Sequence, residues 1–330
     1  MRSIKVNLDK KVLSSYEIRI GKDIIDRMAP IIAKSHNAGR YVVITDNCVG
    51  SLYGQKLLSS LKDVGLNVYL IEFPVGEASK NINTVLDIAG KLLKLEADRE
   101  TCLIALGGGV VGDIVGLIAS IFMRSIPYIQ IPTTLVAQVD SSIGGKTGID
   151  LPHGKNLLGT FYQPCAVFTD LSFLETLPER EFNNGLSEII KYGAIDDEKM
   201  FHTLESNMEA IKLKDSKLLL NIVETCCQIK KSIVEIDEKE QGLRRILNFG
   251  HTLGHALETI SQYTITHGEG VALGMIVAAR LSEKMGYLKD NETKRIEALI
   301  HSAGLPGKIP ESFTGDSIIP LLQMDKKKKR

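Results

Sequence analysis

The sequence predicts an α/β fold in which a parallel-sheet domain over residues 1–177 is followed by an all-helical domain over 178–330. Two patterns and the length predict it. From Tyr41 to about Asp170, short β-branched runs alternate with helical patterns, the rhythm of βαβ units and therefore of a parallel sheet. After Leu177 the β signals fade, and from Glu179 to Ala303 the apolar residues recur at helical spacing. A length of 330 residues accommodates two domains, each with a core of its own.

Taken in order, VNL and YEIRI in the first twenty residues flank a polar turn and predict a strand pair at a sheet edge. YVVIT predicts a strand, the stretch near Val49 to Val64 a helix, VYLIEF a strand, and Ile82 to Leu95 a second helix. CLIAL, a glycine turn, an apolar helix and the strand YIQI follow. The run from Leu103 to Phe122 has a membrane-compatible length, but Asp113 and five glycines assign it to a strand, a turn and a buried helix. Pro178 and the polar PERE mark the boundary, and Gly193, Gly242, Gly250 and Gly268 punctuate the helical region. The closing MDKKKKR reads as a solvated basic tail.

Composition excludes several classes. Hydrophobic residues make up 44% and charged residues 24%, which rules out a disordered or low-complexity chain. Forty basic residues balance forty acidic ones, so there is no electrostatic case for a nucleic-acid partner or a membrane surface. The five cysteines show no CxxC spacing, and MRSIKVNLDKK has no apolar signal-peptide core, so a reduced, cytoplasmic protein is expected.

Four motifs carry chemistry. LIALGGGVVGD runs from a strand through three glycines into a helix; such a turn either cradles phosphate at the helix start or simply packs tightly. It lacks the GxGxxG fingerprint. Asp113 in its apolar helix favours the functional reading, because an unpaired buried carboxylate is costly. PVGEASK places Glu77 and Lys80 just after VYLIEF, at the carboxyl edge of the sheet, where open α/β sheets bind ligands.

The stretch from Ile131 to Asn156 offers Thr133, Thr134, Ser141, Ser142, Asp140, Lys146 and Lys155 among four glycines. We expect a long loop without secondary structure of its own, suited to a phosphorylated or carboxylated ligand. His251 and His255 lie at i and i+4 in NFGHTLGHALE, and His267 opens HGEGVALGM. Glu188, in GLSEIIKYG with Lys191 one turn on, completes the donor types of an open zinc site. Core or capping histidines are the alternative. HExxH is absent, so a metalloprotease is disfavoured.

Together these motifs resemble the 3-dehydroquinate synthase family. PVGEASK, GGGVVGD, MRSIP, IPTTLVAQVDSSIGGKTGID, HGKN, GTFYQP, TLPEREF, GLSEIIKYG, GLRRILNFGHTLGHALE, HGEGVALGM and AGLP run in order from about Val42 to Lys327. The resemblance implies an N-terminal nucleotide-binding domain and a helical metal-binding domain, with the active site in the cleft between them, as in iron-type polyol dehydrogenases.

Carried over, it implies that Glu188, His251 and His267 hold a divalent metal, Zn²⁺ or Co²⁺. It places NAD against Asp46, Gly76, Glu77, Lys80, Gly109, Val110, Val111, Gly112, Asp113, Thr133, Thr134, Phe173, Leu174 and Thr176. Lys146 and Lys155 bridge cofactor and substrate. Asp140, Asn156, Lys191, Lys230, Arg244, Asn248, His255 and Lys326 form the substrate pocket, with Arg124 reaching in from the second subunit of a homodimer. Lys191, His255, Lys146, Arg244 and Asn248 are the catalytic residues so implied.

The reaction implied converts the sugar phosphate acid 3-deoxy-D-arabino-heptulosonate 7-phosphate into 3-dehydroquinate and phosphate, in the shikimate pathway. Transient oxidation by NAD acidifies the neighbouring C–H so that phosphate leaves; re-reduction, ring opening and an intramolecular aldol closure follow. Another sugar phosphate cyclase, a metal- and NAD-dependent polyol dehydrogenase or a non-catalytic binding protein are the rival readings. Three positions depart from the family pattern: Ser125 stands where glycine is commoner, Ser187 where alanine is usual, and Cys48 where asparagine often follows the TD pair. Family members usually continue for a further stretch past the DKK that Asp325, Lys326 and Lys327 match.

Overall fold

The computed structural model describes residues 1–6, 15–35, 38–152 and 154–327, with side chains in the last helix described to residue 322. It divides into two compact units, Met1–Leu177 with Lys230–Glu238, and Pro178–Ile229 with Lys239–Arg330.

The first unit opens with β1 (Arg2–Val6), β2 (Tyr16–Gly21), α1 (Ile25–Ser35) and β3 (Arg40–Asp46). A short α2 (Asn47–Val49) widens into a π turn at Gly50–Gly54 before α3 (Gln55–Asp63). Then come β4 (Val68–Phe73), α4 (Ile82–Lys94), β5 (Thr101–Gly107), α5 (Gly109–Ile121) and β6 (Tyr128–Pro132). β7 (Lys146–Leu151), β8 (Gly154–Phe161) and β9 (Ala166–Asp170) complete the strands. Seven strands form one sheet in the order β1-β2-β9-β6-β5-β3-β4, parallel throughout except for the edge pair β1 and β2.

Both faces of this sheet are covered, which is why its strands read as unbroken apolar runs. Tyr41 and Val43 face α1 and α3 in one core, with Met28, Ile32, Leu57 and Leu61. Val42 and Ile44 face α4 and α5 in the other, with Ile88, Leu92, Ile114 and Val115. The expected strand VNL ends at Val6; Asn7 and Leu8 lie outside the described residues.

The expectation of an unstructured loop from Ile131 to Asn156 is corrected. The stretch folds into a helical turn at Ala137–Ser141 and the first strand of an antiparallel hairpin of β7 and β8. Thr147 and Ile149 point inward from β7 and are buried, so alternation along the strand supplies a packed face. The packing is tight: a Cβ on Gly116 of α5 would sit 2.5 Å from Thr147 Cγ2.

The second unit consists of α6 (Glu179–Ile195), α7 (Glu198–Lys212), most of α8 (Ser216–Ile236), a 3₁₀ turn at Leu243–Asn248, α9 (His251–Ile260), α10 (His267–Lys284), α11 (Asp290–Ser302) and α12 (Gly315–Lys327). It has no strand among the described residues. The end of α8 from Lys230, with Asp237 and Glu238 after it, belongs to the first unit. No described helix is long and apolar enough to cross a membrane.

Candidate active site

In the second unit, glycines bring three helices to backbone distance. A Cβ on Gly254 of α9 would lie 2.9 Å from the Gly270 carbonyl carbon on α10, and one on Gly268 would lie 2.4 Å from Cα of Asn184 on α6. The start of α10 is pinned as well. Thr266 and Glu269 close a capping box, Thr266 Oγ1 donates to Asn184 Oδ1 at 2.6 Å, and Arg180 forks onto Glu269 at 2.9 and 2.8 Å.

Where these helices meet, His267 Nε2 lies 3.0 Å and His251 Nε2 3.5 Å from the same oxygen, Oε1 of Glu188. Lys191, one turn along α6, pairs with the other carboxylate oxygen. Glu188, Lys191 and His251 are buried. The ligand atoms of Glu188, His251 and His267 all fall within 4.8 Å of one another. The imidazole of His255, exposed on α9, stands 5.4 Å from that of His251 and 6.0 Å from that of His267, centroid to centroid.

The orientation of the two imidazoles suits a cation. His251 Nδ1 faces the carbonyl oxygen of Phe249 at 3.1 Å, and His267 Nδ1 faces Glu258 Oε1 at 3.0 Å. With those acceptors holding the Nδ1 protons, Nε2 is the nitrogen that each imidazole turns toward Glu188 and can offer to a metal. Burial pushes the His251 pKa down to about 3, against the pull of Glu188, so this imidazole is neutral. Burial acts on His267 in the same sense but is outweighed by hydrogen bonds to Glu188 and Glu258, which raise it to about 10. A proton there balances two carboxylates, and a divalent ion seated between the three side chains would displace it. Two nitrogens and one carboxylate are donors that zinc and cobalt accept.

The first unit holds a second cluster. Lys80 Nζ lies 2.6 Å from Asp113 Oδ2 and donates to Asn156 Oδ1 at 2.6 Å, while Lys155 pairs with Glu77 at 3.1 Å. Burial raises the Asp113 carboxyl, with Lys80 pulling the other way. Burial opposes the charge on Lys80, yet Asp113 and Glu77 hold its ammonium above its usual value. Glu77 feels burial too, but Lys80 and Lys155 bring it below the carboxylate range.

Beside this cluster, α5 starts at Gly108 with no side-chain cap. Gly108, Gly109 and Val110 are half-buried, whereas Val111 and Gly112 are buried. Gly76, at φ 108°, has nothing within 4 Å of where a Cβ would lie. A bare helix start fits a pyrophosphate.

The other expected site residues are placed as follows. Asp46 caps α2 by accepting from the N–H groups of Cys48 and Val49 at 2.9 Å. Thr133 is buried, and Thr134 Oγ1 accepts from Ala137 N at 3.2 Å. Phe173 and Leu174 are buried, with Phe173 packed on Tyr53, and Thr176 hydrogen-bonds the Tyr53 hydroxyl. Lys230 Nζ pairs with Asp140 Oδ1 at 2.9 Å. Lys146 begins β7 and is exposed, as is Arg124 after α5. In the second unit, Arg244 is buried in the 3₁₀ turn, and Asn248 donates to Glu240 at 2.8 Å. Lys326 is on α12, with its side chain outside those described.

Two residues escaped the sequence reading. Glu258 stands seven residues after His251, on the same helical face, and that spacing could have shown it. Asp150, which accepts from Asn156 N at 2.8 Å, is legible only once the hairpin is known.

The 3-dehydroquinate synthase N-terminal family matches residues 70–184, and the 3-dehydroquinate synthase C-terminal family matches residues 185–328. The chain belongs to the 3-dehydroquinate synthase family. A 3-dehydroquinate synthase from Desulforamulus reducens is 45% identical over 99% of this chain and 90% of its own length. Two solved cyclase structures share the architecture of this family member. 2-epi-5-epi-valiolone synthase from Streptomyces hygroscopicus, with NAD⁺ and Zn²⁺ bound, is 29% identical with a TM-score of 0.89, over 98% of this chain and 89% of its own. 2-deoxy-scyllo-inosose synthase complexed with carbaglucose-6-phosphate, NAD⁺ and Co²⁺ is 29% identical with a TM-score of 0.87, over 98% of this chain and 86% of its own.

Proposed function

We propose that this chain is a 3-dehydroquinate synthase, a phosphate-eliminating lyase of the shikimate pathway that converts 3-deoxy-D-arabino-heptulosonate 7-phosphate to 3-dehydroquinate. The observation that carries the reading is the convergence of the Nε2 atoms of His251 and His267 on one oxygen of buried Glu188, beside Lys191. Bound NAD supplies a reversible hydride acceptor, and a zinc or cobalt ion lowers the pKa of the substrate hydroxyl that is oxidised.

The chain's own residues do the rest. Glu188, His251 and His267 hold the ion. The first turn of α5, from Gly109 to Gly112, binds the cofactor's pyrophosphate, with the N–H groups of Gly109, Val110 and Val111 as donors while that of Gly112 closes the helix onto the Gly108 carbonyl oxygen at 3.0 Å. Glu77, Lys80, Asp113, Thr133 and Thr134 line that cofactor, and Asp46, Phe173, Leu174 and Thr176 flank its adenosine side. Lys146, Lys155, Lys230 and Arg244 provide cations for a substrate bearing both phosphate and carboxylate. The pairings Lys155 with Glu77 and Lys230 with Asp140 restrict those ammonium groups before substrate arrives. Asn156, Asn248 and Lys326 orient the substrate. His255, exposed beside the two buried histidines, takes and returns a proton at a ring nitrogen, and Lys191 donates from Nζ.

We further propose a homodimer in which Arg124 completes the partner's site. Support comes from exposed apolar side chains on the hairpin and at the end of α5 and just after it: Leu157, Leu158, Phe161, Ile121 and Met123. Five free cysteines accord with a cytoplasmic protein.

Phosphate release from the heptulosonate phosphate, with NAD present in amounts far below substrate, tests the function. Turnover without accumulation of NADH is expected. Accumulation in proportion to turnover would replace the reading with a dehydrogenase, and release only from sedoheptulose phosphate or glucose phosphate would replace it with a sister cyclase.

A further inference from the structure

The motif NFGHTLGHALE ends in an acid that the function above does not use. Glu258 shares a face of α9 with His251 and His255, is 1% exposed, and holds His267 Nδ1 at 3.0 Å. A carboxylate buried to this degree is costly unless it is paired, so the contact is part of how α9 and α10 fit together. Both ring nitrogens face carboxylates, Nδ1 that of Glu258 and Nε2 that of Glu188 3.0 Å away; when an ion takes the place of the Nε2 proton, Glu258 keeps the hydrogen on Nδ1 and leaves the Nε2 lone pair to the metal. His251 meets the same need with a neutral dipole, the Phe249 carbonyl oxygen. The two imidazoles therefore differ: one is backed by a peptide group and the other by a full negative charge.

We propose that Glu258 is a positioning residue for the metal centre, fixing the tautomer and direction of His267 and increasing its basicity toward the ion. This rests on the reading of Glu188, His251 and His267 as ligands. Nothing in the function above assigns Glu258 a role, and it touches neither substrate nor cofactor in that scheme. Carboxylates behind a ligating histidine strengthen metal binding by roughly 10- to 100-fold. His255, Glu258 and His267 also bring ligand atoms within 4.8 Å of one another. A second ion there would need the His267 Nδ1 lone pair, which donation to Glu258 takes away, so a single ion is expected.

Titration of the metal-free full chain with Co²⁺, followed by its visible ligand-field absorption, tests this without any assay of turnover. E258Q keeps an acceptor but loses the charge, and E258L loses both. Cobalt should bind roughly 10-fold more weakly to E258Q and roughly 100-fold more weakly to E258L, at one equivalent and with a shifted absorption envelope. Thermal melts of the metal-free variants separate this from a structural role: a change in affinity larger than the change in metal-free stability supports positioning. If E258L does not fold, the near-isosteric E258Q decides alone. Affinity and spectrum unchanged in folded E258Q would overturn the proposal. So would two equivalents in the parent and one in E258Q, which would make Glu258 a ligand. Absence of any cobalt binding by the parent would overturn the ligand assignment itself, an outcome distinct from failure of Glu258 alone.

Discussion

Gly274 on α10 lies so close to Gly250, which precedes α9, that a Cβ added to Gly274 would sit 1.8 Å from the Gly250 carbonyl oxygen. With Gly254 against Gly270 and Gly268 against Asn184, this makes the separation of α6, α9 and α10 a property of missing side chains. The cluster of Glu188, His251 and His267 inherits its dimensions from that separation.

Gly268→Ala should therefore force α10 away from α6, destabilise the fold by ~1–3 kcal/mol as overpacking does, and weaken metal binding by more than the loss of stability explains. Gly90→Ala is the control. Nothing lies within 4 Å of its Cβ position, inside α4, so it should gain ~0.5–1 kcal/mol from helix propensity. Thermal melts and zinc titration of both variants check the pair, and a Gly268→Ala protein with parental affinity would detach the glycine contacts from the site.

His251 and His255 share a face of α9, yet only His251 is buried and directed at Glu188. A strong chelator should abolish activity, with Zn²⁺ or Co²⁺ restoring it. His251→Ala should retain less than one equivalent of metal by elemental analysis, whereas His255→Ala should keep its metal and lose turnover. The reverse pattern would exchange the two roles.

The parallel sheet was legible because a strand buried on both faces must be apolar throughout, as CLIAL and YVVIT are. The hairpin of β7 and β8 was not. Its glycines read as loop, whereas they serve close strand contact: a Cβ on Gly159 would meet the Thr147 carbonyl oxygen at 2.1 Å. Asp113 announced itself as a misplaced charge in its helix, but its partner Lys80 lies on the loop after β4, and only the fold brings the two to 2.6 Å. His251 and His255 could be read from helical spacing. The meeting of Glu188 with His267 came from family resemblance, since α6 and α10 are distant in sequence. Glu258 was passed over because an acid on a helix is ordinary until its burial is known.

Burial pushes the Glu269 carboxyl up, but the Arg180 fork and the Thr266 N–H at 2.8 Å outweigh it and hold the group below its usual value. A carboxyl depressed on folding adds stability above its unfolded value, about 4.3, and that contribution is lost as pH falls through the lower folded value. Arg180→Met should lower the melting temperature at neutral pH, and the gap from the parent should narrow well below pH ~4 as the carboxyl protonates in both proteins. Arg180 is largely exposed, so the effect should stay under ~1 kcal/mol. Melts across this range check it, and a gap independent of pH would remove the ion pair as its cause.

Three successive residues after α5 adopt left-handed backbone without being glycine: Met123 at φ 50°, Arg124 at φ 68° and Ser125 at φ 101°. At Ser125 the pair φ 101°, ψ 133° lies where L side chains crowd their own backbone, which accounts physically for glycine being the commoner residue there. The turn is imposed from outside, by Ile126 N donating to the Ala119 carbonyl oxygen at 2.8 Å and by the Tyr162 hydroxyl donating to the Ile126 carbonyl oxygen at 2.9 Å. Ser125→Gly should relieve strain of ~1–3 kcal/mol, set against ~0.5–1 kcal/mol of extra unfolded-state freedom. It also loses the hydrogen bond between Ser125 and Tyr162. Ser125→Ala loses the same bond and keeps the strain, so the two variants isolate the backbone contribution. Ser125→Gly should melt higher than Ser125→Ala, and a Ser125→Gly protein that melts lower than Ser125→Ala would show that the strain is smaller than the ~0.5–1 kcal/mol of unfolded-state freedom.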